Sequence, residues 1–277
     1  MKAIPSQSYS VGIIGGKGQL GAWCRDLLEP YGHRVLIADV DTALSARDVV
    51  AQSDIVIVSV PIGKTAEVLA AVSPLLRPEQ LVIDFTSVKT PFVSLMEASH
   101  AEVLSVHPMF APQRSITAGQ TCVVCRVRQG RLGEWFESFL TEVGLRLVAM
   151  TAEQHDRTMA FVQGLTHFQA LTAAHCMAAM DFEASESMAT ASPVYRVRLA
   201  IIGRVLAQNP RLYAEIQIFN PYVKEVLEQV RRSNELFTRL VDQKDVEGFI
   251  AEFVRVREAL GSFSEQSLEE SARLISV

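Results

Sequence analysis

Short apolar runs alternate with amphipathic, helix-like segments through the first half of the chain. The apolar runs predict strands at residues 11–15, 34–38, 55–60, 81–84, 103–106, 121–127 and 146–150. Helices are predicted between them at residues 19–31, 64–73, 92–98 and 131–143. Alternation of this kind is typical of a parallel sheet with helices on both faces. Several strands are apolar throughout, as strands covered on both faces should be.

The pattern changes after about residue 150, and no further strand is predicted. Thr151 is placed to cap a helix, with Gln154 near the third helical position, and Ser192 followed by a proline marks another helix start. Two more helices are predicted at residues 222–241 and, as the last element, 246–260. We therefore predict an α/β protein with a mostly parallel sheet domain at residues 1–150 and an all-helical domain at residues 151–277.

A glycine-rich turn directly follows the first predicted strand, in the stretch VGIIGGKGQLG. Gly16, Gly18 and Gly21 form the pattern GxGxxG, and Gln19 and Leu20 open the following helix. In dinucleotide-binding folds the first glycine permits the tight turn, the second lets the backbone approach a pyrophosphate, and the third lets helix and strand pack closely. The free amides and the dipole at the helix N-terminus hold the phosphates. The three glycines, Gln19 and Leu20 are therefore predicted to bind a dinucleotide in a Rossmann-type domain.

An aspartate at the end of the second strand indicates which dinucleotide is bound. Asp39 lies eighteen residues beyond Gly21, a spacing at which a carboxylate accepts hydrogen bonds from the ribose of NAD. The first arginine after it is Arg47, so no nearby guanidinium would neutralise the 2′-phosphate of NADP. NAD is the predicted cofactor, and Asp41 is the alternative carboxylate if the strand register differs.

Composition narrows the classes of function. The chain has 277 residues and a net charge of −5, so it lacks the basic excess with which nucleic-acid binders neutralise phosphates. The N-terminal residues MKAIPSQSYS contain no apolar targeting segment, and the apolar stretch 160–180 carries glutamines and histidines that do not suit a membrane span. We predict a cytoplasmic protein that binds neither nucleic acid nor a membrane.

The cysteines add one possible motif. Cys122 and Cys125 form a CxxC inside a predicted strand, where this spacing points the two side chains to opposite faces. Buried free thiols in a reducing compartment are therefore favoured over a redox or metal site, and no bound metal is predicted.

Two predicted strands end in side chains capable of chemistry. Ser87 follows strand 81–84, and His107 follows strand 103–106. Ligands bind outside the carboxyl ends of the strands in an open α/β sheet, so both side chains are placed to face a bound cofactor. A histidine suits removal of a hydroxyl proton because its pKa lies near neutral pH, and a serine can hydrogen-bond the same substrate group. From the residues alone, an ST-turn for Ser87 and a structural role for His107 are equally good interpretations.

The helical half offers cations and imidazoles for an anionic substrate. Arg196 and Arg204 are about 80° apart around one helix, so both can border one crevice and bind substrate. Arg204 lies among apolar residues, where a substrate carboxylate or a protein carboxylate would neutralise it. His155 and His167 are offset by about 120° on one α-helix, so they cannot share a ligand face. His155 suits a capping or structural role at the helix start, whereas His167 lies mid-helix, at a crevice or in the core.

Several motifs together resemble those of one enzyme family. They are GIIGGKGQLG, VPI, SVK, HPMF, QHD, MAFVQGLTHF and SPVYRVRLAIIGRVLAQNPRLYAEI. Through nearly its whole length the chain resembles the prephenate dehydrogenases, most closely the dehydrogenase half of the bifunctional chorismate mutase/prephenate dehydrogenases, or T-proteins. The resemblance implies a Rossmann domain followed by a helical dimerisation domain, a homodimer formed through that helical domain, and an active site between the two domains.

The resemblance also implies roles for individual residues. His107 of HPMF matches the family's catalytic histidine, which hydrogen-bonds the 4-hydroxyl of the substrate ring, and Ser87 of SVK matches a serine that contacts the same hydroxyl. Arg204 matches an arginine that binds a substrate carboxylate, and His167 matches a histidine of the substrate or effector pocket. Pro61 of VPI joins the cofactor-binding residues. The implied reaction moves a hydride from C4 of prephenate, a dicarboxylate, to NAD+, releases CO2 and leaves an aromatic ring.

Departures from the family pattern leave the substrate open. The chain is expected to lack the mutase domain, Ala111 and the continuation APQRS replace a glycine-containing stretch, and Pro221 falls where the family's helix continues. Such changes are expected of a specialised paralogue, so two substrates remain: prephenate, and 4-amino-4-deoxyprephenate with an amine at C4. A non-catalytic NAD-binding regulator is the alternative from another class, and the joint presence of Ser87, His107 and Arg204 disfavours it.

Overall fold

The computed structural model describes residues 7–111 and 118–275, so residues 1–6 of the N-terminal stretch and residues 112–115 of APQRS lie outside the described residues. The chain divides into two compact units. The first comprises Met1–Ala160 and Ala214–Pro221, and the second comprises Phe161–Tyr213 and Tyr222–Val277. The segment Ala214–Pro221 therefore groups with the sheet although it lies within the helical half of the sequence. The domain boundary after residue 150 stays a prediction.

A seven-stranded sheet is the framework of the first unit. Its strands are β1 (Ser10–Ile14), β2 (Arg34–Ala38), β3 (Ile55–Val58), β4 (Leu81–Asp84), β5 (Glu102–Pro108), β6 (Thr121–Arg128) and β7 (Arg146–Ala149). The order across the sheet is β2-β1-β3-β4-β5-β6-β7, and among the described pairings only β5–β6 is antiparallel. The prediction of a mostly parallel, Rossmann-type sheet is confirmed. The strand order reverses between β1 and β3, the kind of switch point at which open α/β sheets bind ligands.

Side chains alternate between the two faces of the sheet and fill two hydrophobic cores. In β3, for example, Ile57 belongs to one core and Val58 to the other. Helices α1 (Gln19–Leu28) and α5 (Arg131–Glu142) contribute to the first core, and α2 (Ala46–Gln52), α3 (Ile62–Val72) and α4 (Thr90–Glu97) contribute to the second. Burial on both faces explains why the strands are apolar throughout.

The hydrophobic pattern did not predict helix α2. The helix has seven residues, too few for a 3.6-residue repeat to stand out. Its sequence signal is a capping box, in which the Ser45 side chain accepts a hydrogen bond from the Asp48 amide and the Asp48 carboxylate accepts one from the Ser45 amide. Val49 and Val50 then bury the apolar side of this short helix in the second core.

Every element described after residue 150 is a helix, as predicted. These are α6 (Ala152–Met159), a π-helical segment (Ala160–Leu165), α7 (Thr166–Ala179), α8 (Ala184–Ser187), α9 (Pro193–Leu206), α10 (Pro210–Phe219), α11 (Val223–Asp242), α12 (Val246–Leu260) and α13 (Phe263–Ile275). The side chains of Thr151 and Ser192 cap α6 and α9, which confirms both predicted helix starts. Pro221 lies in the break between α10 and α11. None of the described helices combines the length and apolarity needed to cross a lipid bilayer.

The prediction that helix 246–260 is the last element was wrong. Helix α12 has the predicted bounds and is followed by Gly261, with a φ of 58°, but α13 comes after it. Phe263 and Leu268 of α13 are exposed, and most of the residues between them are polar.

Both cysteines of the CxxC lie inside β6 and are buried as free thiols. Burial raises the pKa of the Cys122 thiol to about 12 and that of the Cys125 thiol to about 11. Both thiols therefore stay protonated at neutral pH, in the form that is neither a nucleophile nor a metal ligand.

A buried histidine makes the first unit sensitive to acid. His33 Nδ1 accepts a hydrogen bond from the Tyr9 amide, and the imidazole ring lies 4.9 Å from the Trp135 ring and 5.7 Å from the Phe139 ring. Its Nε2 is buried with no hydrogen-bond partner among the described residues. Burial lowers the pKa of His33, so protonation costs the folded state more than the unfolded chain.

We expect the free energy of unfolding to fall as the pH drops below 6.5, the ordinary pKa of His33, because the unfolded chain then takes up a proton first. His33→Asn should make this fall shallower between about pH 7.5 and about pH 5. Urea unfolding at each pH measures the slope. The matched control is His100→Asn at an exposed position, which should keep the wild-type slope. A wild-type slope in His33→Asn would contradict the expectation.

Candidate active site

The turn after β1 brings backbone atoms into close contact. Gly15 adopts a φ of +86°, in the left-handed region that favours glycine. A Cβ on Gly21 would lie 2.5 Å from the Gly15 carbonyl oxygen, so helix α1 could not pack this closely with a larger residue there. A Cβ on Gly16 would lie 2.6 Å from the Ile37 side chain. The tight turn therefore depends on Gly15, a residue that the GxGxxG pattern did not single out.

The N-terminus of α1 is open to an anion. Gly18 is the N-cap and has no side chain with which to cap the amides of the first turn. That turn begins with Gln19 and Leu20 and contains no acidic residue. Its backbone amides and the positive end of the helix dipole suit a pyrophosphate, and the turn lies next to the switch point between β1 and β3. The residues present therefore fit a bound dinucleotide.

Asp39 contacts this glycine turn at the end of β2. Its carboxylate accepts hydrogen bonds from the Lys17 amide and the Val40 amide, each at 2.8 Å. Asp41, the alternative carboxylate, is exposed, and it lies 4.0 Å from the Lys17 ammonium rather than on the turn's backbone. The structure thus places Asp39 rather than Asp41 against the turn.

Ser87 follows β4, and His107 lies in β5, the parallel strand next to it. Strands β4 and β5 pair with Asp84 opposite Ser105, so the chain that leaves β4 runs beside His107. His107 is 3% exposed and belongs to β5 rather than following it, and Ser87 is half-buried in the turn before α4. Pro61 caps α3 after β3, the strand next to β4. The carboxyl end of the sheet therefore gathers these predicted residues beside the glycine turn.

A chain of hydrogen bonds leads inward from His107. His107 Nδ1 lies 2.8 Å from His155 Nε2, and His155 Nδ1 lies 2.8 Å from Asp156 Oδ1. All three side chains are buried. Because an ionised carboxylate only accepts, His155 must donate from Nδ1, and its Nε2 must then accept from His107. A neutral His107 therefore carries its proton on Nδ1, which leaves the lone pair on Nε2.

The surroundings keep both imidazoles neutral. Burial, the nearby His155 and the Lys89 ammonium hold the pKa of His107 well below its ordinary value of 6.5. Burial also lowers the pKa of His155, although the hydrogen bond to Asp156 opposes this. Burial would raise the pKa of Asp156, but hydrogen bonds from His155 and Thr90 outweigh it and lower that pKa. At neutral pH the chain therefore runs from a carboxylate to two neutral imidazoles.

Asp156 is held by more than the histidine. Its Oδ1 accepts from the Lys89 amide at 2.8 Å and its Oδ2 from the Thr90 amide at 2.7 Å, at the start of α4. Its backbone carbonyl accepts a hydrogen bond from Asn220 Nδ2 at 2.9 Å. The Asp156 carboxylate, on α6, thus links this helix to the start of α4.

The remaining predicted residues belong to the second unit. Arg204 is exposed on α9, and none of the described residues forms an ion pair with it. Arg196 donates a hydrogen bond to the Met188 carbonyl at 3.0 Å. The His167 ring lies 4.3 Å from the Tyr213 ring, and burial lowers the pKa of His167.

The predicted 120° offset between His155 and His167 assumed one unbroken α-helix. Residues Ala160–Leu165 between them form a π-helix, which has more residues in each turn. The offset calculated at about 100° per residue therefore does not apply. Such π-helical segments occur often at functional sites.

Two family models match most of this architecture. "Prephenate dehydrogenase, nucleotide-binding domain" matches residues 34–122, and "Prephenate dehydrogenase, dimerization domain" matches residues 151–255. The T-protein of Haemophilus influenzae is 33% identical over 278 residues, which cover 99% of this chain and 73% of that protein. The chain belongs to the prephenate dehydrogenase family.

Two further relatives extend the comparison of this prephenate dehydrogenase family member. A 4-amino-4-deoxyprephenate dehydrogenase of Streptomyces pristinaespiralis is 25% identical, with 95% of each chain covered. The crystal structure of prephenate dehydrogenase from A. aeolicus in complex with hydroxyphenyl propionate and NAD+ has a TM-score of 0.72. It is 17% identical and covers 91% of this chain and 97% of that chain, so it supports the fold.

The sequence interpretation gave His155 a capping or structural role and did not connect it to His107. Thr151 caps α6, and His155 is buried between His107 and Asp156, with a hydrogen bond to each. Asp156 and Lys89 were not singled out at all. The available signal was the adjacent pair His155–Asp156 at the start of a helix, where polar side chains turn out fully buried.

Proposed function

We propose that this protein is an NAD-dependent dehydrogenase that converts prephenate to 4-hydroxyphenylpyruvate by oxidative decarboxylation. The observation that carries the proposal is the position of His107. It lies at the carboxyl end of the sheet, and its Nδ1 is occupied by the chain to His155 and Asp156. Membership of the prephenate dehydrogenase family supports the same reaction.

The glycine turn and the start of α1 would hold the cofactor. Gly16, Gly18 and Gly21 would give the pyrophosphate access to the backbone, and the Gln19 and Leu20 amides at the start of α1 would hold it. When bound, NAD+ supplies the acceptor for the hydride that leaves C4 of the substrate. Pro61, at the end of the strand beside β1, would line the same site.

Asp39 would select NAD over NADP. Its carboxylate already lies on the glycine turn, where it would accept hydrogen bonds from the adenosine ribose and repel a 2′-phosphate. The neighbouring Lys17 ammonium lies 4.0 Å from the Asp41 carboxylate.

His107 would act as the general base. Its Nε2 takes up the proton of the 4-hydroxyl, and the imidazolium that forms is stabilised through His155 by the Asp156 carboxylate. The Ser87 hydroxyl would hydrogen-bond the same substrate oxygen and fix its orientation. Loss of the ring carboxylate as CO2 would leave its bonding electrons in the ring, which becomes an aromatic phenolate. The imidazolium of His107 would then return the proton to that oxygen.

The cations of the helical unit would bind the substrate carboxylates. A guanidinium binds a carboxylate with two parallel hydrogen bonds, and Arg204 is exposed without a protein carboxylate as partner among the described residues. Arg196 and His167 are the further substrate-binding candidates. These assignments rest on the residue types and on the family resemblance of the motif around Arg204.

4-Amino-4-deoxyprephenate is the second candidate substrate. The relative with that activity in its name aligns over nearly the whole chain, at a lower identity than the T-protein. A serine hydroxyl donates and accepts hydrogen bonds, so Ser87 suits an amine as well as a hydroxyl. The activities of the protein on the two substrates therefore have to be compared directly.

We also propose that the protein forms a homodimer through its helical unit. The family model for this region is a dimerization domain. On α12, Phe253, Val256 and Leu260 form an exposed stripe at helical spacing, 61%, 39% and 56% exposed respectively. A stripe of this kind is costly in water and is expected to be covered by a partner. A cytoplasmic location stays a prediction.

We expect the wild-type protein to form NADH and CO2 from prephenate and NAD+, and His107→Asn to lower kcat by about 100-fold or more, because the general base is lost. NADH absorbance measures turnover, and calorimetry of NAD+ binding should give an unchanged affinity in the variant. His100→Asn, at an exposed position, is the matched control and should keep full activity. Full turnover in His107→Asn would contradict the assignment of His107 as the general base.

The same assay separates the remaining candidates. A higher kcat/KM for 4-amino-4-deoxyprephenate than for prephenate would select the amine substrate. Tight NAD+ binding without turnover on either compound would contradict the proposed enzyme and favour the regulator.

We expect light scattering after size-exclusion chromatography to give twice the chain mass of 30.5 kDa for the wild-type protein. Phe253→Glu should shift the mass towards one chain, because it buries a carboxylate in the proposed interface. Val40→Glu is the matched control, since Val40 is 95% exposed in the sheet unit, and it should leave the dimer intact. A monomeric wild-type protein, or an unchanged mass for Phe253→Glu, would contradict this interface.

A further inference from the structure

A buried ion pair lies directly behind the candidate active site. Lys89 and Asp84 are both fully buried, and the Lys89 ammonium lies 2.8 Å from Asp84 Oδ2. Burying two charges costs free energy, and well-packed apolar residues often serve stability equally well. The pair therefore calls for an explanation beyond stability.

The pair closes the turn that carries Ser87. Asp84 is the last residue of β4 and Lys89 lies just before α4, so their contact joins the two ends of the segment around Ser87. Inside that turn, the Thr86 amide and hydroxyl both donate to Asp84 Oδ2, at 3.0 Å and 2.5 Å. The turn is thereby fixed from within.

The same pair attaches the turn to the strand of His107. The Lys89 ammonium donates a hydrogen bond to the Val106 carbonyl at 2.8 Å, one residue before His107. Asp84 Oδ1 accepts a hydrogen bond from the Ser105 hydroxyl on the same strand. Lys89 also donates its backbone amide to Asp156 Oδ1 at 2.8 Å. One residue therefore contacts the Ser87 turn, the His107 strand and the carboxylate at the end of the histidine chain.

The Lys89 ammonium also acts electrostatically on the two histidines of the candidate site. The titratable groups around it come from four elements and are Asp84 on β4, His107 on β5, Cys122 and Cys125 on β6, and His155 and Asp156 on α6. Both thiols are neutral at working pH, as described above. The positive charge of Lys89 lowers the pKa of His107 and of His155, whereas Asp84 acts in the opposite direction on His155.

We propose that Asp84 and Lys89 are positioning residues that fix the turn carrying Ser87 to the strand carrying His107. Neither side chain would touch substrate or cofactor, because both are fully buried. The effect on turnover rests on the proposed function, whereas the effect on histidine protonation does not.

The first test follows the protonation of the histidines by NMR, which needs no substrate. In Lys89→Met, the titration midpoints of His107 and His155 should move upward by about half a pH unit or more, because the nearby positive charge is gone. The double variant Asp84→Asn/Lys89→Met contains no uncompensated buried charge and keeps the fold if Lys89→Met alone does not. It should still show an upward shift for His107. Lys64→Met, which breaks the exposed pair with Glu67, is the matched control and should show none.

The second test is a double-mutant cycle on turnover. Lys89→Met should lower kcat by about 10-fold or more and leave the KM for NAD+ unchanged, because Ser87 is misplaced while the glycine turn is untouched. Combined with Ser87→Ala, the losses should be less than additive, since both changes remove the same contact. An unmoved His107 midpoint in the double variant, or fully additive losses in the cycle, would overturn the proposal. A wild-type protein without activity on either substrate would contradict the proposed function and leave the NMR test standing.

Discussion

The carboxylate of Asp156 is the interaction on which the candidate site depends. It accepts hydrogen bonds from the Lys89 amide, the Thr90 amide and His155 Nδ1, all between 2.7 and 2.8 Å. Two of these donors begin α4, and the third leads to His107. Removing the carboxylate would leave buried donors without partners and would free the imidazole of His155 to change tautomer. One negative charge thus sets both the local geometry and the position of the proton.

The chemistry follows from how the buried charges are balanced. Two carboxylates and one ammonium lie behind two imidazoles, and each carboxylate has several donors around it. Removing one partner of a buried pair typically costs about 3–5 kcal/mol, so the arrangement tolerates little change. This balance of charges keeps the His107 imidazole neutral near neutral pH. A neutral imidazole can accept a proton on Nε2 as the hydride leaves, without first losing one to solvent.

Local signals predicted most of the fold, and they failed where contacts are distant in sequence. The glycine turn, the mostly parallel sheet and the caps at Thr151 and Ser192 depend on residues a few positions apart, so they are visible in the sequence. The bond between His107 and His155 joins residues 48 positions apart, and no periodicity reveals it. The same holds for Lys89, whose burial depends on Asp156 and on β5. Helix α2 was missed for a different reason, since its seven residues are too few to show a helical repeat.

The most direct test of the hydrogen-bond chain is the 15N chemical shifts of His107 and His155 in protein labelled at histidine, at about pH 7.5. Asp156 as an acceptor predicts that both rings are neutral and carry the proton on Nδ1, with the lone pair on Nε2. Asp156→Asn should change the His155 signal first and identify it. A His155 ring protonated on Nε2, or a His107 ring that is cationic at this pH, would contradict the chain and the role of His107 as base.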